Sequence, residues 1–173
     1  MFSLILPGAQ AINNTSKENR QNFKTGLERL LENEMSVLEG KKVGLITNPT
    51  GIDRNLKSIV DVLYNHPNIE LKALYGPEHG VRGSAQAGQY VEFYTDPATG
   101  LPVYSLYGAT KKPTPEMLEG IDVLVFDIQD VGTRFYTYIY TMAYAMEAAK
   151  ENNIPFVVLD RPNPLGGEQV EGP

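Results

Sequence analysis

Five short apolar runs, Val43–Thr47, Ile69–Tyr75, Val103–Leu106, Val123–Ile128 and Phe156–Leu159, punctuate the chain after Gly40, each bounded by Gly, Pro, Asn or Asp. They are rich in Val, Ile and Leu and alternate poorly with polar residues, the pattern of strands buried on both faces of a parallel sheet. Helical spacing fills the gaps. Ile59, Val60, Leu63 and Tyr64 mark one helix, Thr114-Pro115-Glu116 opens a short one with Pro at its first position, and Tyr138, Met142, Ala145 and Ala149 form a longer stripe ending before Asn152-Asn153. Ahead of the strands, Lys17 to Asn33 reads as a helix capped by Thr15 or Ser16, with Phe23, Leu27, Leu30 and Leu31 at helical spacing. Strands alternating with helices imply right-handed crossovers and a three-layer α/β domain with an open, mainly parallel sheet of about five strands. Gly83–Gly100 breaks the alternation and reads as an excursion near the site. No internal repeat or linker divides the chain, so residues 21–173 form one domain behind a tail of residues 1–20.

Composition narrows the function classes. The chain has 173 residues, with 15 Lys and Arg against 21 Asp and Glu, a net charge of −6. That argues against a general nucleic-acid binder, which needs a basic face to displace counterions from phosphates. There is no Cys, so there is no disulfide framework, thiolate metal site, thiol nucleophile or lipid-modified cysteine anchor. No apolar run approaches the roughly 20 residues of a membrane span. Met1–Ala11 holds a short apolar stretch ending in Ala9-Gln10-Ala11, like the small-residue end of a secretory signal, but without a basic start. It reads as the clipped remnant of an export signal, which would put the protein in the periplasm or outside the cell; the alternative is a frayed tail, with a cytoplasmic location.

In an open parallel sheet, ligands bind beyond the carboxyl ends of the strands, where helix N-termini also point. The five runs are followed by Asn48–Gly51, by Gly76–Gly80 with Arg82 behind it, by Tyr107-Gly108, by Gln129–Tyr136, and by Asp160–Pro164. Four of the six arginines (Arg54, Arg82, Arg134 and Arg161) fall in these segments or just behind them. The guanidinium fork suits a carboxylate or phosphate, so the expected site is polar and fit for a neutral or anionic ligand. The plainer alternative is that Asp160–Arg161 and Asp130–Arg134 pair and pin the loops.

Glu78 is the best acid/base candidate. Pro77 restricts the backbone before it, Gly76 and Gly80 permit a tight turn, and a carboxyl group near apolar strand ends is placed to hold a proton near neutral pH. His79 is a candidate to orient it or bind ligand. Asp127 and Asp130 straddle Gln129 at the end of the fourth run, as a partner carboxylate, a clamp or metal ligands. A metal would want further ligands than Glu78 and His79 supply, so no metal site and no cofactor are expected. Of Tyr136, Tyr138, Tyr140 and Tyr144, the first is best placed to meet a ligand and the rest read as packing. The phosphate-loop ending, the Gly-x-Gly-x-x-Gly fingerprint and the Gly-x-Ser-x-Gly elbow are all missing.

At these loops the sequence resembles the YbbC-like family. The motifs are Thr47–Gly51 (TNPTG), Pro77–Gly80 (PEHG), Thr99–Gly108 (TGLPVYSLYG), Asp127–Tyr138 (DIQDVGTRFYTY) and Leu159–Pro164 (LDRPNP), in matching order, within a likeness spanning roughly Leu27 to Pro173. The resemblance implies a glycoside hydrolase that removes N-acetylmuramic acid from the non-reducing end of peptidoglycan fragments. It implies a Rossmann-like domain followed by a smaller C-terminal domain, with the site in the cleft between them. The loop glutamate carries over to Glu78 as the catalytic residue, while Asn48, His79, Gln129, Arg134, Tyr136, Arg161 and Asn163 map to the cleft; Arg82 joins them as a post-strand arginine.

The lactyl carboxylate of muramic acid would give the arginines a partner. Its N-acetyl group could act as internal nucleophile, leaving Asp127 or Asp130 to polarise the substrate or a water. Family members run well beyond Pro173. The surface left by the missing second domain is expected to favour self-association. The rivals are a module that binds muramyl ligands without cleaving them, and a metal-dependent phosphoesterase or other hydrolase using Asp127, Asp130, Glu78 and His79.

Overall fold

The computed structural model describes residues 23–83 and 93–172. The expected export-signal remnant, the Thr15 and Ser16 caps and most of the excursion after Gly83 lie outside these residues. Strands β1 (Lys42–Thr47), β2 (Glu70–Gly76), β3 (Tyr94–Thr95), β4 (Pro102–Ser105), β5 (Val123–Asp127) and β6 (Phe156–Val158) form one sheet in the order β3-β4-β2-β1-β5-β6. Every pairing is parallel except that of β3 with β4. The five expected strands are therefore present and parallel. The addition is β3, a two-residue antiparallel edge strand too short to carry a periodic signal.

The sheet is covered on both faces, as the continuous apolar runs require. Val43 and Leu45 of β1 and Val123 and Val125 of β5 point to one face. There they pack with Leu27 of helix α1 (Gly26–Arg29) and with Ile59, Val60 and Leu63 of helix α2 (Ile59–Tyr64). Ile46, Leu124 and Phe126 point to the other face, against Leu118 of a 3₁₀ turn (Glu116–Leu118) and Ala145, Ala148 and Ala149 of helix α3 (Tyr138–Glu151). In β2 the alternation slips. Leu71 and Leu74 share a face because the register with β1 passes from Val43–Leu71 to Gly44–Ala73, leaving Lys72 as the extra, exposed residue of a bulge. Across the sheet Gly44 leaves room for Tyr75: a β-carbon at Gly44 would come within 3.0 Å of that ring.

Within the described part of the first expected helix, α1 begins at Gly26 and Thr25 caps it, accepting from Glu28 N (3.3 Å) while the Glu28 carboxylate accepts from Thr25 N (2.9 Å). Leu27 and Leu30 are buried, whereas Phe23 and Leu31 are exposed. Gly26 donates to the Asp160 carbonyl (2.7 Å), which anchors the helix on the chain leaving β6. A second tie is the Glu28–Arg54 ion pair, which reaches the segment after β1.

Two outcomes follow from this corner. A β-carbon at Gly26 would lie 2.4 Å from Asp160 N and 2.5 Å from the Leu159 carbonyl carbon, both backbone atoms that cannot swing away. Gly26→Ala is expected to destabilise the fold by about 1–3 kcal/mol, read from urea unfolding midpoints. The Arg54 hydrogen bond holds Glu28 down to about 2, against an ordinary value of 4.5. Between those values the unfolded chain binds the extra proton, so this stabilisation is whole above pH 4.5 and drains away as pH falls towards 2. Glu28→Gln should therefore lose stability at pH 6 and show a flatter decline between pH 5 and pH 2 than the parent, measured by denaturant titration at each pH.

Candidate active site

The strand order turns back at β1: the chain builds outward through β2 to β4 on one side, then returns to add β5 and β6 on the other. The carboxyl ends of β1 and β5 flank that switch point, where loops part and a crevice opens. Hydrogen bonds knit the two loops into its floor. Thr47 Oγ1 donates to the Asp127 carbonyl (2.8 Å), and the buried Asn48 Oδ1 accepts from Thr50 N (3.0 Å) and Thr50 Oγ1 (2.5 Å). Thr50 Oγ1 in turn accepts from Gln129 N (2.9 Å). The Gln129 side-chain amide donates to the carbonyls of Asp130 (2.7 Å) and Pro162 (2.8 Å), which brings in the loop after β6. Asn163 meets Gly132 so closely that a β-carbon there would lie 2.3 Å from Asn163 Oδ1, and Gly132 has a positive φ of 74°.

Beneath the floor lies an ion pair. Arg161 Nε and Nη2 donate to the two Asp127 oxygens at 2.5 and 2.9 Å, and Nη2 also reaches the Ile52 carbonyl at 3.0 Å. The Asp127 side chain is fully buried and that of Arg161 is 7% exposed. Burial pushes the Asp127 carboxyl up, while the Arg161 fork pulls it back towards the ionised form that accepts both bonds. Two other post-strand arginines are engaged in the same way. Arg82 grips buried Asp96 through both oxygens (2.6 and 3.0 Å) and Asp61 (2.9 Å), and Arg54 pairs with Glu28. These carboxylates supply the partners that the cluster of arginines led us to expect from a ligand. The partner of Arg161 is Asp127, not its neighbour Asp160.

Glu78 stands on the turn that leaves β2. Gly80 N donates to the Pro77 carbonyl (3.0 Å), and both His79 (φ 73°) and Gly80 (φ 74°) are left-handed. For His79, which carries a β-carbon, that backbone is uncommon and needs the surroundings to hold it. Gly76 lets the turn fold back, since a β-carbon there would come within 2.9 Å of Val81 N. A small pocket opens at this corner between Glu78, His79, Tyr94, Tyr104, Ser105 and Tyr107. The Tyr107 hydroxyl is hydrogen-bonded to the Glu78 carboxylate, whose charge holds the phenol above its ordinary value.

Tyr138 joins this corner to the floor. Its hydroxyl is hydrogen-bonded with Asn48 and feels the charge of Glu78; burial, above all, raises its pKa. Its ring lies 5.8 Å from that of Tyr136. On its far side a groove of about 180 Å³ runs past Phe126, Ile128, Met142 and Val158 to Asp130. Asp130 Oδ2 accepts from Gly132 N (3.2 Å), and Oδ1 is buried with no hydrogen-bond partner among the described residues. Arg134 and Tyr136 are exposed on the loop leading to α3.

Asn48, Gln129, Asp127 and Arg161 are thus bound into one network, with Asn163 packed on Gly132 beside it and Glu78 at its rim through Tyr138. Arg82 faces Asp61 and Asp96 instead. Sequence reading missed Tyr107, Tyr138 and Thr50. Tyr138 was legible only as the first member of a helical stripe, and Tyr140 and Tyr144, read as packing, are exposed. Among the described residues, no three His, Asp or Glu side chains gather as metal ligands do.

The model of the family described as exo-β-N-acetylmuramidase NamZ, N-terminal, matches residues 43–173, a span holding every candidate site residue. The chain belongs to this family. It is 66% identical over 161 residues to peptidoglycan β-N-acetylmuramidase NamZ of Bacillus subtilis (strain 168), covering 93% of this chain and 38% of that protein. Two crystal structures of DUF1343 family proteins from Bacteroides fragilis are similar in fold. One has 63% identity and a TM-score of 0.79, covering 86% of this chain and 37% of its own. The other has 36% identity and a TM-score of 0.67, covering 81% and 35%. The chain therefore spans well under half the length of these relatives.

Asp127→Asn would leave the buried Arg161 guanidinium without its counter-charge. The expected cost is about 3–5 kcal/mol of folding stability, seen as a large drop in the denaturant midpoint. A variant as stable as the parent would show that the pair does not hold the floor together.

Proposed function

We propose that this domain carries the acid/base residue of an exo-acting glycosidase that releases N-acetylmuramic acid from the non-reducing ends of peptidoglycan fragments. The substrate class comes from the printed activity of the relative at 66% identity. The observation that carries the residue assignment is the position of Glu78. It is a carboxylate on a left-handed turn, lining a pocket at the sheet's carboxyl edge, while the fully buried Asp127 is tied to Arg161 through both oxygens.

In this reading Glu78 protonates the glycosidic oxygen as the bond to the anomeric carbon breaks. It then takes a proton from the water that completes hydrolysis. Asp127 is a poor candidate for direct chemistry, because using it would strip Arg161 of its partner. Asp130 is better placed to polarise the substrate, since one of its oxygens has no donor among the described residues. The substrate's N-acetyl oxygen can serve as the internal nucleophile, so a second attacking carboxylate is not required. The same assignment favours hydrolysis over metal-dependent phosphoester cleavage, because Asp127, Asp130, Glu78 and His79 do not gather as a ligand set.

The test is release of free N-acetylmuramic acid from a muramyl disaccharide. Glu78→Gln keeps the side chain's shape and removes the transferable proton, so turnover should fall by about 10²–10⁴-fold with an unchanged circular dichroism spectrum. Turnover close to that of the parent would overturn the role of Glu78. Saturable binding of the disaccharide without any release by the parent would favour a binding module.

A further inference from the structure

The Glu78 corner contains a second functional group that the acid/base reading leaves idle. Tyr107 follows β4, the strand next to β2, and the register pairs Gly76 with Ser105 so that the two strands end level. Leu106 N donates to the Gly76 carbonyl (2.8 Å), carrying the ladder one step further. Ser105 Oγ accepts from Tyr107 N (3.3 Å), bracing the residue whose ring then turns over the pocket. The wall behind it is firm: the Tyr104 ring lies 5.5 Å from that of fully buried Tyr75, whose hydroxyl donates to the Met117 carbonyl (2.5 Å). A braced phenol thus meets a carboxylate held on a left-handed turn. Each partner is positioned by its own strand end.

We propose that Tyr107 is a positioning residue for Glu78, its hydroxyl donating to the carboxylate, fixing its direction in the pocket and tightening as Glu78 gives up its proton. The inference rests on the acid/base role of Glu78 given above. In the first step the proton leaves the Glu78 carboxyl for the glycosidic oxygen, the bonding pair departs with that oxygen, and Glu78 becomes a carboxylate. The Tyr107 proton stays on the phenol throughout. A hydrogen bond to an ionised acceptor is about twice as strong as one between neutral groups, so Tyr107 holds Glu78 more tightly in the transition state than before it. The charge of Glu78 also keeps the phenol protonated, hence able to donate.

Tyr107→Phe removes the hydroxyl and keeps the ring. On a muramyl disaccharide, kcat should fall by about 10- to 100-fold with little change in KM, as for loss of a group that orients a reacting one. A second readout needs no turnover. With tyrosine labelled at Cζ, the Tyr107 resonance, assigned by its absence in Tyr107→Phe, should shift on Glu78→Gln, which replaces the charged acceptor of its hydrogen bond by a neutral amide. A Tyr107 resonance unmoved by Glu78→Gln, or a Tyr107→Phe enzyme with the parent's kcat, overturns the proposal. If Glu78→Gln is inactive while Tyr107→Phe is normal, only Tyr107 is misassigned; an active Glu78→Gln removes the acid/base reading itself.

Discussion

The Asp127–Arg161 pair sits where three chain segments must agree. Asp127 ends β5, Arg161 follows β6, and the Ile52 carbonyl belongs to the loop after β1. Charges taken out of water are costly unless geometry and further hydrogen bonds repay the loss. Here both carboxylate oxygens are met by one fork, and the same guanidinium satisfies a backbone acceptor. Because the cost of leaving either partner alone is high, the pair enforces one relative placement of the loops on either side of the switch point. The remaining floor bonds, from Thr47 to Asp127, Thr50 to Gln129 and Gln129 to Pro162, follow once that placement is set.

This arrangement separates scaffold from chemistry. Strongly charged groups at the carboxyl edge mostly neutralise one another: Arg161 with Asp127, Arg82 with Asp96 and Asp61, Arg54 with Glu28. The Arg82–Asp96 grip joins the two ends of the excursion after β2, and Thr99 reinforces it by donating from its hydroxyl and amide to Asp96. What faces the pocket is instead a glutamate on a strained turn and a set of tyrosines. Tyrosine suits such a rim, since its ring packs against the apolar strand ends while its hydroxyl still finds a polar partner.

The tyrosines also tie separate parts of the site together. Tyr107 reaches Glu78 from β4, and Tyr138 reaches Asn48 from the first turn of α3. The Glu78 turn leaves β2 on one side of β1 and the Asp127 loop leaves β5 on the other, and Tyr138 reaches between them. Beyond Tyr138, the apolar groove and the exposed Ile139, Tyr140, Tyr144 and Met146 extend along α3 and the open edge of β6.

The strands, their parallel direction and the covering helices were legible in the sequence because burial on both faces leaves long apolar runs, and a helix packed on a sheet leaves its 3.6-residue stripe. The Glu78 turn was legible too, since Gly and Pro at such spacing announce backbone that few other residues tolerate. Asp127, Arg161 and Tyr138 show the boundary. Their residue types announced polar chemistry at strand ends, but which arginine met which carboxylate depended on the strand order, and 34 positions separate Asp127 from Arg161 along the chain. Local pattern determines what each segment becomes; partners are chosen by the order in which the strands lie side by side, and no window of sequence contains that order.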